Sequence, residues 1–215
     1  MTEQADVAAR LQDVKGRRIR QDGTDVTSFN VAKPETPWVI FGPREAVEFK
    51  EQVAALSAAG GRVYEVHGRA LMDEAGVLDA FARAVGVPGY FGWNWDALVD
   101  CLDDLHDAVT GGVGIVVVVH GADALLGADH LKVFMTMLCL AADRANTDVD
   151  PDGDLRDEPV VIEHFIFLLD EVRAEEFTAG IEDPDVVVSV EGDFLTVALN
   201  LDAWRPKAAG RPKVS

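Results

Sequence analysis

The sequence predicts an α/β layered domain, a small and mainly parallel sheet flanked by helices. Three observations carry that expectation. Strand-like and helix-like segments alternate along most of the 215 residues, the order that builds a parallel sheet with helical crossovers. The run Ile115-Val-Val-Val-Val119 is β-branched without polar alternation, as suits a strand covered on both faces. Hydrophobic residues make up 48% of the chain, enough for a sizeable core and too many for global disorder.

Residues 1 to about 36 read as a weakly structured arm. Ala5 to Val14 has the spacing of a short amphipathic helix, and Lys15 to Arg20 carries four positive charges, too few and too poor in aromatics for nucleic-acid binding. Lys33-Pro-Glu-Thr-Pro37 is linker-like, so one folded domain is expected over 37–203, followed by a mobile Lys/Arg/Pro-rich tail over 204–215. Trp38 to Phe41 reads as a buried strand. Gly42-Pro43 opens a helix, with Pro43 in its first turn and Ala46, Val47, Phe49, Val53 and Leu56 along its apolar side. Gly60-Gly61 ends that helix and Arg62 to His67 forms a second strand. Asp73 caps the next helix, whose Val77, Leu78, Phe81, Ala84 and Val85 face inward until Gly86 stops it. Beyond the Ile115 strand, residues 129–144 form a long helix with Leu131, Phe134, Leu138 and Ala141 on one side. Val160 to Leu169 is an apolar strand interrupted by Glu163-His164. Asp185 to Val190 and Phe194 to Leu199 read as a hairpin.

The most informative stretch lies in the middle, Pro88 to Asp107. Asn94 is placed to cap a helix in which Trp95, Leu98, Leu102 and Leu105 form one apolar stripe. Asp96, Asp100, Asp103, Asp104 and Asp107 recur in the same rhythm opposite it, with no Lys or Arg between Tyr90 and Val109. Like charges at i, i+4 repel by a few tenths of a kcal/mol per pair, about 0.2–0.5. The ordinary reading of such a run is a solvated helix face. An aromatic loop directly at the helix start makes a shaped anionic binding surface the serious competitor. The whole chain carries 38 acidic and 19 basic residues, a net charge of −19, which repels nucleic acid and anionic membranes and speeds encounter with basic partners.

Other chemistry finds little support. The sequence has no G-x-x-x-x-G-K-[ST], no G-x-G-x-x-G between a strand and a helix, no H-E-x-x-H and no paired C-x-x-C. No cofactor is therefore expected. The histidines at 67, 106, 120, 130 and 164 are scattered. Asp96 and Asp100 sit one helical turn apart, yet a wet acidic face does not split carboxylate pKa values for acid/base work. The run Asp148, Asp150, Asp152, Gly153, Asp154 matches the first half of a calcium loop, but Pro159 stands where the bidentate Glu belongs. No apolar run reaches the ~18 residues of a membrane span. The N-terminus lacks a secretory pattern. Cys101 and Cys139 then read as reduced, buried thiols of a cytoplasmic protein.

The segment Tyr90-Phe-Gly-Trp-Asn-Trp-Asp-Ala-Leu-Val-Asp-Cys-Leu102 resembles the barstar-like family of ribonuclease inhibitors, whose segment has the form Y-[YF]-G-x-N-x-D-A-L-x-D-C-L. Tyr90, Gly92, Asn94, Asp96, Ala97, Leu98, Asp100, Cys101 and Leu102 match it. The resemblance extends more loosely over residues 62–170, leaving out the arm, the 38–61 unit, the acidic insertion and the hairpin. It implies a barstar-like core and a non-catalytic protein whose loop and acidic helix cover a ribonuclease's basic cleft. Asp100 would take the place of a substrate phosphate, with Asp96 beside it, and Tyr90, Gly92 and Asn94 would shape the contact. Trp93 would add a new contact, and Asp103 and Asp104 would be steering charges. The sequence departs from the family at Val99, Leu105 and Thr136, where it has no partner-contacting aromatic or acid. Those positions, Val99 among the expected contacts, are where partner identity transfers least. A non-inhibitory interaction module that docks another basic protein is the alternative. A metal-assisted hydrolase is a third reading, and it lacks a nucleophile, an oriented base and a complete metal motif.

Overall fold

The computed structural model describes residues 29–86, 91–105, 113–147 and 160–204. Six strands and five helices follow in the order β1 (Val39–Pro43), α1 (Val47–Ala58), β2 (Arg62–His67), α2 (Glu74–Val85), α3 (Trp95–Asp103), β3 (Ile115–His120), α4 (Leu131–Asn146), β4 (Glu163–Leu169), α5 (Thr178–Ile181), β5 (Val186–Glu191) and β6 (Phe194–Leu199). They build one sheet in the order β2-β3-β4-β1-β6-β5, in which the first four strands are parallel and the β5–β6 hairpin joins antiparallel beside β1. The architecture is the expected one, a mixed α/β layer with helices against its sheet. No helix among the described residues is long and apolar enough to cross a membrane.

One row of side chains crosses the whole sheet in register: Tyr64, Val117, Phe165, Val39, Val197 and Val188. Alternation along each strand sends this row to the face covered by α2, α3, α4 and α5 and sends its neighbours to the other. The first face holds the larger core, in which Phe41 stacks on Phe167 at 4.4 Å and Phe134 is fully buried. The second holds Ile40, Val116, Val118, Ile166 and Leu168 beneath Phe49 and Leu56 of α1. β3 and the central part of the sheet are buried from both sides, which is why their sequence shows no polar alternation.

Local chemistry places several boundaries. The Asp73 carboxylate accepts the Gly76 N–H at 2.8 Å and starts α2, and Gly86 ends it in the left-handed region at φ 76°. Pro43 does not open a helix as expected. It is the last residue of β1, opposite Leu169 and past the Val39–Phe41 span that pairs with β6, so its missing N–H falls outside that ladder. The helix begins four residues later, at Val47. The expected arm also ends earlier than residue 36. Phe29 and Val31 are buried, the Phe29 ring lies 5.3 Å from Phe49 and 5.6 Å from Phe194, and Gln52 bonds both Phe29 O and Val31 N. Gly42 admits these rings, since a Cβ there would lie 2.5 Å from Phe194. Residues 1–28 and 205–215, with their expected arm and tail, lie outside the described residues.

Candidate partner-binding surface

α3 is held at its start by Asn94, whose backbone is extended and whose Oδ1 accepts the Ala97 N–H at 2.8 Å. Its Nδ2 also reaches back to Gly92 O at 3.4 Å, tying the preceding loop to the cap. Leu98, Val99, Cys101, Leu102 and, just beyond the helix, Leu105 are buried against the core. The Trp95 ring packs on α4, 6.0 Å from Phe134 and stacked with His130 at 6.4 Å. With that side anchored, Asp96, Asp100 and Asp104 are exposed, as are Gly92, Trp93 and Asn94, and Asp103 is half-buried. Trp93 stands at φ 49°, a left-handed conformation that costs a non-glycine residue about 1–2 kcal/mol, and it keeps 57% of its surface in solvent. Phe91 supports it edge-to-face at 5.1 Å. A bulky indole held out in a strained turn is poorly explained by folding alone.

One position corrects the sequence reading. Val99 was expected at the partner surface but is 1% exposed. It falls between Trp95 and Leu102 on the same helical face and belongs to the apolar stripe. Leu105 is buried too, and Thr136 turns its hydroxyl onto the Lys132 carbonyl at 3.0 Å inside the core. These departures from the family pattern therefore alter packing beneath the surface and leave the exposed carboxylates in place. Tyr90 and Asp107 lie outside the described residues, as does the candidate calcium loop with Asp148, Asp150, Asp152 and Asp154.

The sequence reading missed Arg144. From the last turn of α4 its Nη1 donates to Asp100 Oδ1 at 3.1 Å, with the guanidinium side chain only 23% exposed and Asp100 69% exposed. A basic residue in a helix's last turn is visible in sequence as a dipole partner. Its pairing with a side chain 44 positions away is not. A pair this exposed contributes about 0–1 kcal/mol, so its main effect is to fix the Asp100 rotamer. The charges of α3 are otherwise set against its own stability. Asp96 in the first turn suits the helix dipole, but Asp103 and Asp104 stand at the negative end and no basic residue occupies the last turn.

Two further unexpected groups sit side by side in β4, Glu163 on the sheet face towards α3 and His164 on the opposite face. Glu163 and His164, read as interruptions of a strand, both lie buried within β4. The Glu163 backbone is paired with the buried Asn146 side chain, but neither carboxyl oxygen has a hydrogen-bond partner. Burial holds its pKa well above the usual carboxylate range, and the negative charge of Asp103 adds to that. Burial lowers His164 to about 4, against a contact with the Glu35 carbonyl that works the other way. Above the ordinary carboxylate pKa of about 4.3, unfolded Glu163 loses a proton that the native state keeps, so its contribution to stability falls as pH rises. His164 acts oppositely, costing stability only as pH falls from about 6.5 towards 4. At pH 7.5 Glu163 alone counts. Glu163→Gln should then be the more stable protein by about 1–3 kcal/mol in chemical denaturation, with the gain shrinking towards pH 5. Equal stability of the two proteins at pH 7.5 would show an ordinary carboxyl.

Among the described residues no cluster of three His, Cys, Asp or Glu side chains could hold a metal ion. The exposed carboxylates of α3 form an anionic face beside the capped aromatic loop. Comparison with known families finds a match over residues 61–166 to the family described as Barstar (barnase inhibitor). No curated protein and no solved structure matches the chain significantly. The family match starts at the edge of β2, contains α2, α3, β3 and α4, and ends within β4, so just under half of the chain is similar to the barstar family.

Proposed function

We propose that this protein is a non-catalytic inhibitor of a basic ribonuclease, acting by one-to-one occlusion of the enzyme's active site with α3 and the loop before it. The observation that carries this reading is the row Asp96, Asp100 and Asp104, exposed on a helix whose opposite side is locked into the core of a barstar-family domain. A ribonuclease cleft is built to hold phosphate with cationic side chains, and fixed carboxylates offer the same charge and acceptor geometry. Asp100 has the central role. Arg144 engages one of its oxygens and orients it, and the exposed remainder of the carboxylate is open to a partner's cations. Preordering lowers the cost of binding, and the net charge of −19 speeds encounter with a basic enzyme.

The cation already at Asp100 also favours a second reading, in which the same face docks a basic protein that is not a nuclease. Capture on the immobilised full chain distinguishes the two. Recovery of a small basic ribonuclease supports inhibition, and recovery solely of other basic proteins supports the second reading.

Trp93 provides a test that separates contact from fold. Trp93→Gly relieves the left-handed strain while losing the stack on Phe91, so stability should change by no more than about 1 kcal/mol. Affinity for the captured partner should fall by about 2 kcal/mol or more, as expected of an exposed aromatic anchor. Unchanged affinity would remove Trp93 from the contact.

A further inference from the structure

On the sheet face opposite α3, among the described residues, α1 and the segment around Phe29 and Val31 pack over the central strands. Beside α1 runs an open groove of about 1040 Å³. Its floor is apolar, formed by Val63, Val118, Ile166 and Leu168, and Phe49 and Val53 of α1 make one wall. Its far end lies at the carboxyl ends of the parallel strands, where open α/β sheets bind their ligands. The α1 wall lies outside residues 61–166, so the groove is not a feature of the family segment alone.

That end gathers imidazoles and cations beside the carboxylates of Glu65 and Asp170. His67 and His120 are register partners on β2 and β3, with rings 5.8 Å apart. The Nε2 of His120 is buried and makes no hydrogen bond, and Glu65, which also lines the groove, holds Oε1 3.8 Å from it, at ion-pair distance. Arg69 follows β2 immediately and also lines the groove. The other cations there are already engaged, Arg44 by Asp170 at 2.9 Å and Lys50 by Glu45 at 2.6 Å. Among the described residues Arg69 makes no ion pair. One uncommitted guanidinium and two imidazoles match a single negative charge, and the apolar floor leading away from them matches a hydrocarbon body. His67, His120 and Glu65 do not form a metal-ligand cluster.

We propose that this groove binds a small amphipathic carboxylate, with its head at Arg69, His67 and His120 and its apolar chain along Val63, Val118 and Phe49. No groove residue lies on α3, so the site stands or falls independently of ribonuclease inhibition. The test titrates the full chain with decanoate below its micellar concentration, reading heat and the imidazole NMR signals of His67 and His120. Decanol and inorganic phosphate serve as probes of the apolar and anionic halves alone. The expected result is saturable binding of one decanoate that shifts both imidazoles, with decanol and phosphate at least about tenfold weaker. Arg69→Ala, an exposed substitution that leaves the core untouched, should weaken decanoate by about tenfold or more, and His120→Gln should do the same. Absence of saturable decanoate binding overturns the proposal. So does equal binding by the Arg69→Ala protein, or phosphate binding as tight as decanoate.

Discussion

Replacing Asp100 by alanine should weaken binding to a ribonuclease partner of the proposed kind by about 2–5 kcal/mol, the range for truncating one member of a desolvated charge pair. Barnase–barstar is itself the reference system for such pairs, so this magnitude is transferred from the complex of the family that residues 61–166 match. The structure argues for the upper part of the range. Asp100 is exposed in the free protein but oriented by Arg144, and it sits between Asp96 and Asp104 on the outward side of α3. On docking, its removal leaves the partner's cations without their counter-charge and adds the uncompensated Arg144 to the interface. Folding should hardly notice, with a change of about 0.5–1 kcal/mol at most, since the lost ion pair is solvent-screened. Competition titrations read the first quantity and urea denaturation the second. A loss of affinity accompanied by an equal loss of stability would mean that the residue acts through the fold.

Phe134→Ala should do the reverse, costing about 3–5 kcal/mol of stability. Phe134 is fully buried on α4 and meets Phe81 of α2 edge-to-face at 5.6 Å, Phe167 of β4 at 6.1 Å and Trp95 of α3 at 6.0 Å. Rings from three helices and the sheet meet there, so the cavity left by alanine has no single flexible neighbour to fill it. The acidic helix loses its rear support at the same point. Denaturation midpoints measured for the two variants side by side separate them. A cost below about 1 kcal/mol would mean that the core relaxes into the space, contrary to the packing described.

Much of this was legible in the sequence, for identifiable reasons. β2 runs over the residues expected, and β3 follows the unalternating valine run, because strand burial on both faces leaves a compositional mark. The caps at Asp73 and Asn94 were legible because capping is local, a side chain bonding a backbone N–H three residues on. What was not legible depends on contacts distant in sequence. Arg144 reaches Asp100 across 44 residues, and Phe29 and Val31 are fixed by Gln52 on α1, although their own neighbourhood reads as linker. Glu163 looked like a break in an apolar strand, since nothing local announces a carboxyl buried without a partner. Val99 is a different kind of error. Its spacing from Trp95 and Leu102 could have placed it on the inward stripe, but the stripe was drawn through Leu98 without it and the family pattern drew it outward.

We propose that the acidic face of α3 closes a ribonuclease active site. The most direct test is RNA cleavage by a panel of small basic ribonucleases, titrated with the native chain and with Asp100→Ala. Cleavage by at least one enzyme should stop at a sharp end point near one equivalent of native protein, and that end point should be lost with the variant. Undiminished cleavage by every enzyme at excess native protein, or equal inhibition by the variant, would contradict it.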